Sequence, residues 1–455
     1  MPDATSRPLA LEALVTWEPV LRLLRDGSSS ARVSGHVARH SWSLGLRRPP
    51  LPRPGRAARS ERIRAEAEAV EPVPGALAEA GIDGVSFVAD LAENRSAVLH
   101  LLWPGPGVEY GVRGAYPGAL VLVEGALPAP WRRLPDPVPG AVVAPSASRA
   151  ELERMLRERV PGAGAGTTEA EVAAAGARLG RPLPDELAVL YRVMGAARDG
   201  EAARRVAERA APVLGCELLP LDAVYVADAA ARAVSWEWGA TAAVVTVPDA
   251  RVQGLAGSPG WIVFGEADGD RLAVDLTPGP RGHLGQVIRL DHEQVIGAEI
   301  VADSLTDLVA GQYREEERGR RGKRSPVVAR VNAKSLPHVD AAADPALEVL
   351  TIGVRDGAPM SLAALVGLPR LRTLTAYPGT LADPLEVGRL TGLEFLRLGV
   401  DEWRTLLDAD AVPRTLAAAA VETHGAPDPL AVAALADDLL TLRGRPPVRR
   451  TAIEG

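Results

Sequence analysis

Four carboxylates fall within ten positions of one predicted hairpin: Glu266, Asp268, Asp270 and Asp275. Carboxylates gathered on an exposed turn can meet a basic partner. They raise the association rate by steering more than they deepen affinity. For Asp275, at the end of the returning strand, the expected role is structural, as a hydrogen-bonded residue. Asp268-Gly269-Asp270 resembles the start of a cation loop, but the remaining oxygen ligands of a calcium loop are missing, so no metal is expected. Trp236 and Trp238 alternate by two. On a strand both would face one side, on a helix they would diverge, and exposed they would serve as interface anchors. His36 and His40 stand four apart without a third ligand. There is no Gly-x-Ser-x-Gly, no phosphate-binding loop, no His/Cys cluster and no nucleophile with a base. No catalytic residue and no cofactor are assigned, and the protein is read as not an enzyme.

The chain that positions these groups has 455 residues, a length for several domains. Hydrophobic residues make up 47% and charged residues 24%, as in ordinary globular proteins. Without an apolar run of about 18 residues, no membrane span is expected. No basic start followed by an apolar stretch suggests a secretory signal. The single cysteine, Cys216, excludes an intramolecular disulfide framework and fits a reducing cytoplasm. A net charge of −7 disfavours nucleic acid as the main partner.

Residues 1–59 read as an N-terminal helix, Leu11 to Leu24 with Pro19 bending it, followed by an Arg/Pro-rich linker. Residues 60–160 read as a small α+β domain of no evident family. It would have a helix broken near Pro72, an antiparallel meander (Val85–Leu91, Ala97–Trp103, Val108–Val112, Leu120–Glu124) and a helix over Arg149–Arg159.

The central stretch carries the sharpest local signals. Thr168 and Glu171 fit a capping box. Val172, Ala175, Gly176 and Leu179 repeat at helical spacing, and Gly180 stands where a left-handed cap would close the helix. Pro184 opens a second helix with Leu187, Leu190, Tyr191 and Met194 on its apolar face. Downstream come an apolar strand end at Glu217–Leu221 leading into a helix from Asp222, a strand-like run at Thr241–Val247, the hairpin from Gly260 to Leu276, a strand at Gln286–His292 and a helix capped by Asp303-Ser304.

This ordered set resembles the SUKH superfamily, which includes fungal cell-wall regulators of the Smi-one/Knr-four type and bacterial immunity proteins. The resemblance spans residues 165–313. It is carried by Glu171, Leu179-Gly180, Leu183-Pro184, Leu187, Tyr191, Trp261, Gly269-Asp270, Asp275-Leu276 and Gly285-Gln286-Val287. It implies an α+β domain that binds protein partners without catalysis, bacterial members blocking toxins. Met194-Gly195-Ala196-Ala197 departs from the Asn-Gly pair that often follows the second helix. The long stretch from Ala196 to Ser258 is a further departure.

After a charged linker at 314–326, Leu347-x-x-Leu350-x-Ile352, Leu371-x-x-Leu374-x-Ala376 and Leu393-x-x-Leu396-x-Leu398 share one frame, 24 and 22 residues apart. Such periods mark leucine-rich repeats, read here over 327–445 with Val328–Ala333 opening and Leu416–Val421 closing. Outward strand positions would include Thr351, Thr373, Thr375, Glu394 and Arg397, the last a partner-binding candidate.

The fold class expected is thus α+β and multidomain. The function expected is a non-catalytic protein-binding protein in a bacterial cytoplasm, in its sharpest form an immunity protein that occludes a toxin. A regulatory or scaffold role through the repeat arc is the alternative. An enzyme within 60–160 is the third.

Overall fold

Trp17 and Phe87, both fully buried, face each other at 5.6 Å in one of several separate cores of the chain. The computed structural model describes residues 10–27, 32–46, 56–92, 96–109, 114–161, 166–195, 201–232, 234–314 and 326–455. Arg47, Arg48, Arg53 and the prolines of the expected Arg/Pro-rich linker lie outside the described residues, as does the charged stretch Glu315–Arg324. Twelve α-helices and three sheets appear among the described residues, a mixed α+β architecture. Contacts gather the chain into two units: Met1–Ala126, Ser235–Glu237 and Pro326–Gly455 in one, Leu127–Val234 and Trp238–Ser325 in the other.

The first unit joins both ends of the chain. Its five-stranded antiparallel sheet runs Arg450–Glu454, Ala97–Leu102, Gly84–Leu91, Arg32–Ala38, Trp42–Leu44. Two strands therefore stand in what the sequence presents as a linker. Val33, Gly35 and Val37 alternate with Arg32, Ser34 and His36, but only two of the three buried positions carry an apolar side chain, so the alternation is faint. His36 pairs with Ser86 and Ser43 in this sheet, so it shares no helix face with His40. Pro19 sits inside the helix Leu14–Gly27, whose Trp17, Val20, Leu21 and Leu24 are buried. Proline at the first position of a helix costs no hydrogen bond, and Pro72 restarts the chain as Pro72–Glu79 after Arg56–Val70.

A second sheet of this unit has five parallel strands: Val328–Val331, Val349–Ile352, Thr373–Ala376, Phe395–Leu398 and Ala418–Val421. Their register puts Ala329, Leu350, Leu374, Leu396 and Ala419 in one inward row. Short 3₁₀ turns return the chain between some of the strands. Because each strand buries its apolar side chains against those of its neighbours, this row forms a continuous core, which Leu435 and Leu439 of the helix Pro429–Thr441 join. Leu120–Val121 is not the last strand of an N-terminal meander. It adds antiparallel to Ala418–Ala419. Val108 forms isolated bridges with Gly105 and Leu120, and residues 110–112 of the expected strand lie outside the described residues.

The second unit holds the hairpin. Its sheet runs Glu299–Ala302, Gln286–Leu290, Asp270–Asp275, Trp261–Ala267, Glu217–Leu218, with Tyr225–Val226 also on Trp261–Ala267. Arg149–Arg159 is helical as its sequence suggests, but it does not complete a domain over 60–160. Leu152, Met155 and Leu156 pack with Leu187, Leu190 and Tyr191 in the core of this unit. No helix starts at Asp222, where a turn leads to Tyr225–Val226, and residues 242–247 form no strand. A helix the sequence reading missed, Glu201–Leu214, buries Ala210 and Leu214 in the same core.

Candidate functional site

Two helices hold the sheet that carries the hairpin. Thr168 and Glu171 form the reciprocal capping box that starts Glu169–Arg178, and the Glu171 carboxyl is held below its ordinary value by the Thr168 backbone and hydroxyl donors. Leu179 caps the end, half-buried, and Gly180 turns the chain at φ +70°, where a side chain would be strained. Pro184 is extended and precedes the next helix rather than opening it from inside; Asp185–Met194 begins one residue later. Leu183, Leu187 and Tyr191 are buried, and the Tyr191 hydroxyl donates to the Leu219 carbonyl at 2.8 Å.

Trp261, fully buried, begins the first hairpin strand. Asp275, paired opposite it, is also fully buried. Its carboxylate accepts from Thr277 N–H (2.8 Å) and Gln286 Nε2 (2.8 Å). Burial pushes the carboxyl up to about 6 despite these donors. Asp275 is therefore a link inside the sheet. Cys216 is equally withdrawn: burial pushes its thiol up to about 12, far from a reactive thiolate.

At the hairpin tip, Asp268 and Gly269 have φ of +51° and +90°. Positive φ at both central residues is what a two-residue turn matching the strand twist requires, and Asp-Gly supplies it. The four carboxylates do not act as one free acidic face. Glu266 pairs with Arg271 at 3.0 Å. Asp270 accepts from the His292 backbone N–H at 3.0 Å, lies 2.7 Å from His292 Nδ1 and 3.7 Å from Arg289. Burial opposes ionisation of Asp270, but these partners outweigh it and hold its carboxyl below the ordinary range. In return, the hydrogen bond to Asp270 raises the His292 pKa. Asp268 alone of the four is exposed and without a polar partner among the described residues.

The two tryptophans diverge on one helix, Trp236–Thr241. Trp236 is 4% exposed; its ring stacks on Phe395 (6.4 Å, 15°) and its N–H donates to both Glu109 oxygens at 2.9 Å. It is a core residue of the first unit and no surface anchor. Trp238 is 64% exposed. Arg397 is not free either: it pairs with Glu422 at 3.2 Å and Glu237 at 3.5 Å. Thr373 and Thr375, expected on an open strand face, are buried.

Asp270, Asp291 and His292 bring possible metal-ligating atoms within 4.8 Å of one another. Each is already used by the protein. Asp270 serves His292, and Asp291 Oδ1 accepts from Glu293 N–H (2.6 Å) and Gln294 N–H (3.3 Å). These bonds fix the loop after the strand Gln286–Leu290.

Comparison with known proteins adds two findings. Residues 166–311 match the model of the SMI1 / KNR4 family (SUKH-1). A "Glucan synthesis regulatory protein" of Neurospora crassa is 34% identical over 98 residues, which is 20% of this chain and 18% of that protein. The described helix pair, the hairpin and the closing helix Leu305–Ala310 all fall inside the matched residues. Residues 166–311 are thus similar to a SMI1/KNR4 (SUKH-1) domain.

Proposed function

We propose that this protein is a non-catalytic regulatory or scaffold protein that acts by binding another protein. The observation that carries this reading is the SMI1 / KNR4 match over residues 166–311. The printed name of the Neurospora relative, a regulatory protein, supports the same class. In this reading the parallel strands from Val328 to Val421 are a leucine-rich-repeat-like arc that adds interaction surface, and the partner is met by the exposed hairpin tip around Asp268 and by Trp238. A specific contact of this kind buries on the order of 1,600 Å².

Neutralisation of a toxin by occlusion is the narrower form of this proposal. The exposed carboxylate of Asp268 at the two-residue turn, without a polar partner among the described residues, favours a basic partner surface. The test starts from affinity capture with the full chain. The recovered protein is then purified and its binding measured by calorimetry against wild type, Asp268→Arg and Trp238→Ala. Saturable binding that both substitutions weaken supports the reading. Binding unaffected by either, or turnover of a substrate by the purified chain, overturns it. Protection of cells from a co-expressed toxin separates the narrow form from the broad one.

A further inference from the structure

Beside the hairpin lies a cavity of about 220 Å³ that none of the contacts above fills. Tyr225, Arg232, Arg271, Leu290 and Val295 line it. Arg232 follows the short turn Ala229–Ala231, and its guanidinium donates to the carbonyls of Gly297 (3.2 Å), Asp291 (3.4 Å) and Gln294. Carbonyl dipoles orient a guanidinium without neutralising it, and no carboxylate forms an ion pair with Arg232 among the described residues. Burial works against its charge most, the nearby Asp291 carboxylate offsets part of that, and Arg271 adds a smaller opposition. Arg271 reaches the same cavity from the second hairpin strand. It is bound through Nε to Glu266, leaving its two terminal nitrogens unbonded among the described residues. The Tyr225 hydroxyl, on a strand paired with Ile262–Val263, also has no hydrogen-bond partner there.

Two cations and a hydroxyl donor thus converge on one space, which Asp291 and His292 also line. Asp291 caps its own loop, Asp270 holds His292, and Glu266 sits on the Arg271 Nε side. Guanidinium groups match carboxylate and phosphate oxygens as paired donors. Leu290, Val295 and Ala227 supply apolar wall beside them. We infer that this cavity binds a small organic oxyanion, a carboxylate or phosphate ester, with its oxygens on Arg232, Arg271 and Tyr225 and its apolar body against Leu290 and Val295. The inference stands independently of the proposed protein partner.

The test is calorimetric titration of the full-length chain with phenyl phosphate and with benzoate, alongside inorganic phosphate and neutral phenol. One saturable site for at least one of the two aromatic anions is expected, with phenol and inorganic phosphate binding more weakly. Losing one charge-assisted contact corresponds to about tenfold in affinity, so Arg271→Gln and Arg232→Gln should each weaken binding at least that much. Tyr225→Phe should weaken it about threefold, as for loss of one neutral hydrogen bond. Arg232 also ties down three carbonyls and its variant could misfold; Arg271 is surface-exposed and its variant decides the matter alone. No binding of either anion, equal binding by phenol, binding indifferent to Arg271→Gln, or binding that chelator abolishes would each overturn the assignment.

Discussion

The Glu186 carboxylate accepts from the backbone N–H of Leu305 at 3.0 Å. It also accepts from the N–H of Ser148 at 3.1 Å and from the Thr306 hydroxyl. Ser148 caps the helix Arg149–Arg159, and Leu305 is the first residue of Leu305–Ala310. One side chain therefore satisfies donors left free at two helix starts that lie far apart in sequence. Glu186→Ala should lower the stability of the second unit by about 1–3 kcal/mol, since the part-buried Leu305 N–H loses its acceptor while the Ser148 N–H keeps only the Thr306 hydroxyl at 3.1 Å. Glu186→Gln, which keeps one oxygen, should lose roughly half of that. Urea unfolding followed by a probe in this unit would decide. An alanine variant within 0.5 kcal/mol of wild type, inside the usual span for plain surface substitutions, would refute the role.

The local chemistry around Glu186 was legible in the sequence and its long-range role was not. The capping box, the Gly180 turn and the apolar face of Asp185–Met194 depend on residues within four positions of one another, and those spacings can be read directly. The same holds for the Asp268-Gly269 turn and for the inward leucines of the parallel strands. What escaped depends on partners far along the chain. Nothing near Arg149–Arg159 says that it packs on Leu187, and nothing near Leu120 says that it pairs with Ala419. Arg32–Ala38 was hidden because two valines and a glycine make a faint alternation inside a stretch rich in arginine and serine. The candidate site was half visible. Its acids were found, but Arg271 and Arg289 lie on strands, and His292 in the loop that follows, whose placement only the fold sets.

Leu187 is fully buried among Leu152, Tyr191 and Leu308. Leu187→Asp would place a carboxylate there with no donor to receive it. Burying an unpaired ionisable group, added to the lost packing, costs more than about 4 kcal/mol, a large part of a domain's stability. The second unit should unfold, seen as loss of its thermal transition. A soluble variant with an unchanged transition would contradict this.

Asp275 makes a prediction about pH. Its carboxyl is raised by burial from 3.8 to about 6, so the folded state takes up a proton more readily than the unfolded chain does. The stability this supplies is complete below pH 3.8 and is lost as pH rises through about 6. Over that window the linkage is worth about 3 kcal/mol. Asp275→Asn does not titrate, and its amide also sets an N–H against Gln286 Nε2, so it should be less stable throughout. The wild-type advantage over this variant should grow as pH is lowered from 7 to 4. An advantage that stays flat, or shrinks, over that interval in parallel denaturation curves would show that Asp275 is not the group responsible.

Trp236 and Trp238 offer a matched pair on six residues of helix. Trp236 lies against Phe395, and its backbone N–H is bound by Glu109, whose own carboxyl burial pushes up to about 7. Truncating a buried tryptophan removes a large apolar contact and leaves a cavity, at a typical cost of about 3–5 kcal/mol. Trp236→Ala should lower the melting temperature of the first unit accordingly, and Trp236→Phe should recover part of the loss because a ring can still lie on Phe395. Trp238 is mostly in solvent, so Trp238→Ala should stay within about 0.5 kcal/mol of wild type while reducing partner binding. Calorimetric scans of the three variants separate packing from recognition. If Trp236→Ala melts like wild type, or Trp238→Ala is the destabilised one, the assignment of the two rings is reversed.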